Sequence, residues 1–194
     1  MFSSKQEILD SLTMLGQVLE RGNSPCINVL ICGGAALNLS GLSTRTTADV
    51  DVIGTTLKSN SDLGSMPDFL LEAAVEVSRK LGIERNWFND AAGAITAIGL
   101  PDGMMGRAES IQFGEKLTVL VASRLDLIAL KSFAALDPQT GRKHLEDLVD
   151  LEPTQEELSS VFEWLLDRAA SREFHEAVEQ LGLALGRESN GISE

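Results

Sequence analysis

The chain has 194 residues, 43% hydrophobic and 23% charged, enough for one domain, or one domain with a helical appendage, around a substantial core. Its 29 acidic and 16 basic residues leave a net charge of −13, which repels a phosphate backbone and argues against free-standing nucleic-acid binding. No apolar run reaches the roughly 18 residues that cross a bilayer, so a membrane-spanning helix is excluded.

Residues 1–10 mix Ser, Lys, Gln and Glu without an apolar core, so no secretion signal is expected there. Tyr is absent and Trp87 and Trp164 join only seven Phe, a poor basis for a base-stacking platform. Cys26 and Cys32 lie in or beside one apolar stretch without C-x-x-C spacing. They read as reduced core residues of a cytoplasmic protein.

In chain order, Ser4-Lys5-Gln6-Glu7 has the form of a capping box, and Ile8, Leu12, Leu15 and Leu19 follow at helical spacing. That helix is expected to stop at Gly22. Ile27–Cys32 is a short, apolar, β-branched run, read as a strand buried on both faces. Gly33-Gly34 breaks it, and residues 35–39 read as one or two helical turns ending near Gly41. Residues 49–53 alternate charged and apolar, the period of a half-buried strand. The stretch 54–66 has the Gly, Ser, Thr and Asn content of a loop.

Pro67 opens a helix to about Leu81, with Phe69, Leu70, Ala73, Ala74 and Val77 inward. Strands are expected at 94–98, 109–113 and 117–121, the last two as a hairpin through Gly114-Glu115. Beyond Ser123 the pattern turns helical, over 124–136, 142–151, 154–170 and 172–185, with a second capping box at Thr154-Gln155-Glu156-Glu157. The order predicts an α/β (α+β) fold: a small mixed sheet flanked by helices over 1–122, a helical part over 123–186 packed on it, and a disordered tail at 187–194.

The stretch 27–54 reads INVLICGGAALNLSGLSTRTTADVDVIG. A buried strand runs into two glycines and a helix start, where close backbone approach and unpaired N–H groups suit an anion such as a triphosphate. Asp49 and Asp51 follow. In a strand, residues i and i+2 point to one face, about 7 Å apart, while Val50 and Val52 point into the core. Two carboxylates beside a phosphate cradle suit Mg²⁺, which takes oxygen ligands from protein and phosphates together. Arg45, Thr46 and Thr47 lead into the pair. Arg45 is open between binding phosphate and capping the loop.

This segment resembles the nucleotidyltransferase signature of the DNA polymerase β superfamily, in which a GS or GG helix start precedes D-x-D. With GG, an Ala-Leu pair, an Arg and a Thr before the acidic pair, it is closest to the abortive-infection type and to related uncharacterised bacterial families. The aminoglycoside nucleotidyltransferases are more distant. The resemblance implies a polymerase β-like core in which Asp49 and Asp51 bind Mg²⁺ and Gly33 and Gly34 hold the nucleotide phosphates, with Arg45 and Thr47 as further nucleotide-binding candidates.

A second stretch, Ser123-Arg124-Leu125-Asp126-Leu127-Ile128-Ala129-Leu130-Lys131 followed by residues 141–150, is similar to the LIALK…A…R…KDxxD stretch of the abortive-infection group. By that resemblance Lys131 faces the nucleotide and Asp147 completes the site, with Asp150 a further acidic candidate. On the residues alone a solvated helix lysine is the alternative for Lys131, and an exposed i, i+4 ion pair the alternative for Lys143 with Asp147. Asn86-Trp87-Phe88-Asn89 resembles a W-x-N element of the uncharacterised relatives.

Many superfamily members carry a third carboxylate on a later strand. Asp90, Glu109 and Glu115 are available here, and no spacing selects one. His144 and His175 lack a partner at metal-ligand spacing and read as surface or structural.

Two functions stay open. One is a Mg²⁺-dependent nucleotidyltransferase that moves a nucleoside monophosphate from an NTP to an acceptor (an RNA end, a protein hydroxyl or a small molecule). The other is a weak or inactive relative acting as a binding or regulatory partner of another protein, as in a toxin–antitoxin or phage-defence pair.

Overall fold

Ser4 starts the first helix, α1 (Lys5–Arg21), by accepting the Glu7 N–H on its hydroxyl at 3.3 Å. The returning half of the expected box closes one residue earlier: the Glu7 carboxylate takes the Ser3 N–H at 2.8 Å and the Ser3 hydroxyl at 2.7 Å. Ile8, Leu12, Leu15 and Leu19 are all buried, as their helical spacing requires. A computed structural model describes residues 1–57, 62–139, 141–168 and 171–186, and the tail expected at 187–194 lies outside them. By its contacts the chain divides into two units, Met1–Arg124 and Leu125–Glu194.

The first unit holds a five-stranded sheet. In chain order its elements after α1 are β1 (Ile27–Cys32), α2 (Gly33–Leu39), β2 (Val50–Leu57), α3 (Asp68–Leu81), β3 (Phe88–Asn89), a 3-10 helix (Ala91–Ala97), α4 (Met104–Arg107), β4 (Glu109–Phe113) and β5 (Leu117–Val121). The sheet order is β3-β2-β1-β5-β4. Central β1 runs antiparallel to β2 and parallel to β5, β2 is parallel to β3, and β4 and β5 form the expected antiparallel hairpin. A strand in mid-sheet has both faces covered, which is why β1 reads as a continuous apolar run. The fold class is the predicted one, a small mixed sheet with flanking helices.

Three features depart from the sequence reading. β2 continues to Leu57 through residues read as loop, because β1 supplies a ladder as far as the Ile27–Leu57 pair and Asn28 donates to the Thr56 hydroxyl at 3.1 Å. Pairing overrides the weak strand preference of Gly54-Thr55-Thr56. The strand expected at 94–98 is instead the 3-10 helix, whose first residue, Ala91, donates its N–H to Asn89 Oδ1 at 3.0 Å. The fifth strand is the two-residue β3, anchored by the buried Trp87 and Phe88. The Trp87 indole donates to the Ala74 carbonyl of α3 at 2.9 Å, and Trp87 accepts the Val50 N–H at 2.6 Å.

The second unit is helical: α5 (Arg124–Ala135, which begins at the boundary), α6 (Gly141–Leu151), α7 (Gln155–Asp167) and α8 (Arg172–Ala184). Thr154 and Glu157 form the complete capping box expected at the start of α7, with bonds of 2.9 and 3.2 Å. Among the described residues no helix is long and apolar enough to cross a membrane.

Candidate active site

The site grows from the turn where β1 becomes α2. Cys32 is extended, Gly33 has φ of +71°, and the helix begins. Cys32 pairs with Asp51 on β2, which brings the Asp51 carboxylate onto the turn. A Cβ at residue 33 would stand 1.9 Å from Asp51 Oδ2, and one at residue 34 would stand 2.5 Å from the Thr47 hydroxyl. Both distances are far inside van der Waals contact. Glycine at both positions leaves room for this chain's own side chains: Asp51 occupies the space beside Gly33, and Thr47 the space beside Gly34.

Loop 40–49 is tied to the same turn. Asn38, buried on α2, donates its amide to the Gly34 and Arg45 carbonyls, both at 2.9 Å. Thr47 forms an antiparallel bridge with Phe2 and donates its hydroxyl to the Asp49 carbonyl at 3.2 Å. Arg45 is exposed, its backbone N–H bonded to the Ser43 hydroxyl at 3.1 Å.

Asp49 lies one residue before β2, Asp51 is its second residue, and both are half-buried. The Asp51–Asn89 pair of the β2–β3 ladder puts Asn89 beside them, and Asn89 Nδ2 donates to Asp49 Oδ2 at 3.1 Å. Asp49 also lines an open hollow of about 330 Å³ with Met1, Ala48, Glu84 and Asn86. Asn89 and Glu84 were not picked out as site residues from sequence. The W-x-N element contained the signal for Asn89, but not its reason.

The donor chemistry fits Mg²⁺: two carboxylates two residues apart at the start of β2, hard oxygen ligands of the kind this ion shares with phosphates. Among the described residues no group of three or more His, Cys, Asp and Glu could hold a metal, so no third carboxylate joins the pair. The three candidates show why. Glu115 lies in the β4–β5 turn, next to the Ile27 end of β1, roughly 15 Å along the strand from Cys32. Glu109 is at the correct end, but on β4, three strands and about 14 Å from β2. Asp90 is exposed, just past β3.

In the second unit Lys131 of α5 and Asp147 of α6 form an ion pair, with side chains only 8% and 13% exposed. This corrects the reading of Lys131 as a solvated lysine and of Asp147 as part of an exposed pair on its own helix. Asp150 is exposed on α6, and His175 is exposed on α8. His144 is half-buried, and its Nδ1 is buried without a hydrogen-bond partner among the described residues. Burial, then the neighbouring Lys131 charge, holds its pKa below the ordinary histidine value.

A mixed sheet whose central strand ends in a glycine turn, with an aspartate pair opening the adjacent strand, defines a protein of the nucleotidyltransferase class. The chain belongs to the family described as nucleotidyltransferase of unknown function (DUF6036), whose model matches residues 10–177. That match includes the glycine turn, Asp49, Asp51, Lys131 and Asp147. No curated protein and no solved structure matches the chain.

Proposed function

We propose that this protein transfers a nucleoside monophosphate from an NTP to an acceptor hydroxyl, with Mg²⁺ held by Asp49 and Asp51. The observation that carries the reading is the seating of Asp51 against Gly33, which puts one carboxylate on the strand-to-helix turn, with Asp49 two residues before it in the chain. The cation, when bound, neutralises the polyphosphate and aligns it for in-line attack. In the reaction the acceptor oxygen bonds to the α-phosphorus, the α–β bridging P–O bond breaks, pyrophosphate leaves and the hydroxyl proton passes to solvent. Asp49 and Asp51 hold and orient. The Gly33-Gly34 turn, Arg45 and Thr47 are proposed to receive the nucleotide.

Lys131 and Asp147 enter the proposal as one paired unit of the helical part, by resemblance alone, the aspartate holding the lysine. Resemblance to the abortive-infection type supports these roles, and the reduced cysteines support a cytoplasmic location. The test is incubation of the pure protein with Mg²⁺, each α-labelled NTP and a cell extract, followed by a search for labelled product. Product from wild type and none from Asp49→Asn with Asp51→Asn is the expected result.

The lack of a third carboxylate beside the pair, among the described residues, favours a second reading: a nucleotide-binding partner with little transfer activity. No labelled product with any NTP, together with nucleotide binding, would select it.

A further inference from the structure

We propose that Asn89 is a positioning residue for the cation site, fixing the Asp49 carboxylate through an amide hydrogen bond. The proposal rests on the reading that Asp49 and Asp51 bind a divalent cation, and adds a residue to it.

The orientation of an asparagine amide must be inferred from its partners, and here all three agree. The Ala91 N–H can only donate, so Oδ1 faces it, at 3.0 Å. The Asn86 carbonyl and the Asp49 carboxylate accept, so Nδ2 faces them, at 3.3 and 3.1 Å. A flipped amide would set oxygen against oxygen twice and N–H against N–H once. Asn89 therefore presents a donor to Asp49 Oδ2, and does so from a rigid base. Its strand neighbour Phe88 and the preceding Trp87 are buried, and Trp87 is bonded to both α3 and β2.

A donor at this place has two consequences. It takes one oxygen of Asp49 and so sets the direction in which the other points, which matters for a cation that demands near-octahedral geometry. It also puts a neutral N–H group where a third carboxylate would face Asp49 with like charge. Residues that orient metal ligands in this way act through the ligand and are not ligands themselves.

A purely structural role is the competing account, because Asn89 also accepts the N–H of Ala91, the first residue of the 3-10 helix. Asn89→Ser separates the two. A serine hydroxyl can still accept the Ala91 N–H in a turn, but is too short to reach Asp49.

The test is titration of Mn²⁺ alone into the full chain, followed by the paramagnetic signal of free Mn²⁺, for wild type, Asn89→Ala, Asn89→Ser and Asp49→Asn with Asp51→Asn. Wild type should bind Mn²⁺ and the double aspartate variant should not. Asn89→Ser should bind about tenfold or more weakly, the usual loss on removing a partner of a metal ligand, with a Tm close to wild type. Because Asn89→Ala can lose the turn as well, a second measurement uses unaltered protein: the Asn89 side-chain amide resonance should shift as Mg²⁺ is added. Wild-type affinity in Asn89→Ser, or an amide resonance that ignores Mg²⁺, would overturn the positioning role while leaving the aspartate site standing. Absence of Mn²⁺ binding by wild type, or unchanged binding in the double aspartate variant, would overturn both.

Discussion

Asp51 and Gly33 share one small space: Asp51 Oδ2 lies 1.9 Å from where a Cβ on residue 33 would stand, so a methyl group there pushes the carboxylate aside. The glycine is also at φ of +71°, a conformation that costs a side-chain-bearing residue on the order of 1 to 2 kcal/mol. Gly33→Ala therefore carries two penalties, backbone strain and displacement of Asp51. Gly82 is the control, with φ of +66° and nothing within 4 Å of its missing Cβ. In urea unfolding Gly82→Ala should lose about 1 kcal/mol and Gly33→Ala at least about 1 kcal/mol more. Equal losses would mean that Asp51 does not depend on the gap.

Lys131 and Asp147 provide the second prediction. Both side chains are nearly buried, so removing either takes the opposite charge from beside the other in a place with little water. Lys131→Ala or Asp147→Ala should each cost about 3 kcal/mol in denaturant unfolding, the size seen when one partner of a buried pair is deleted. Lys131→Met with Asp147→Leu should cost clearly less than the sum of the single changes, because neither charge is left alone. Additive losses would show that the two groups do not depend on each other.

What the sequence disclosed follows from how local each signal is. β1 announces itself by a run of buried apolar residues, the β4–β5 hairpin by alternation around Gly114-Glu115, and the α7 cap by four adjacent residues. The expectation for the aspartate pair is local in the same way, since two carboxylates at i and i+2 need only an extended backbone to share a face. β3 was not legible: two residues have no period, and Phe88-Asn89 is a strand only because Trp87 and Phe88 are anchored beside β2. The hold of Asn89 on Asp49 spans 40 residues of chain, and the Lys131–Asp147 pair 16. The i, i+4 rule pointed Asp147 at Lys143 because it sees one helix at a time.

His144 yields a pH prediction. Its folded pKa lies below the ordinary value, through burial first and Lys131 second. The unfolded chain therefore takes up a proton at about pH 6.5 while the folded chain does not, so stability falls as pH drops below about 6.5 and levels off once the folded value is passed. Above that window both states are neutral and the histidine contributes no pH dependence. Unfolding free energies measured from pH 7.5 to pH 5 for wild type and His144→Asn should show a difference that moves in favour of the variant as pH falls. A difference that does not change with pH would remove His144 as the cause.

The cation site itself is tested by stability without any acceptor. Two carboxylates close together repel one another, and a bound cation relieves that repulsion only in the folded state, where the β1–β2 pairing and Asn89 hold Asp49 and Asp51 in place. Ligand present at 100 times its Kd adds about 2.7 kcal/mol to the folded state, which for a chain of this size corresponds to a Tm increase of about 5 °C or more. Wild type should show that increase with Mg²⁺ and an NTP together. Asp49→Asn with Asp51→Asn should remain folded, since both side chains are only half-buried and an Asn at 49 still offers an oxygen to the Asn89 amide. The variant should lose the increase. Lys131→Ala, whose own Tm is already lower, should keep most of the Mg²⁺-dependent part, because the aspartates are intact. A double aspartate variant that still gains stability from Mg²⁺ and NTP would move the cation to other residues and leave the seating of Asp51 against Gly33 as a packing feature alone.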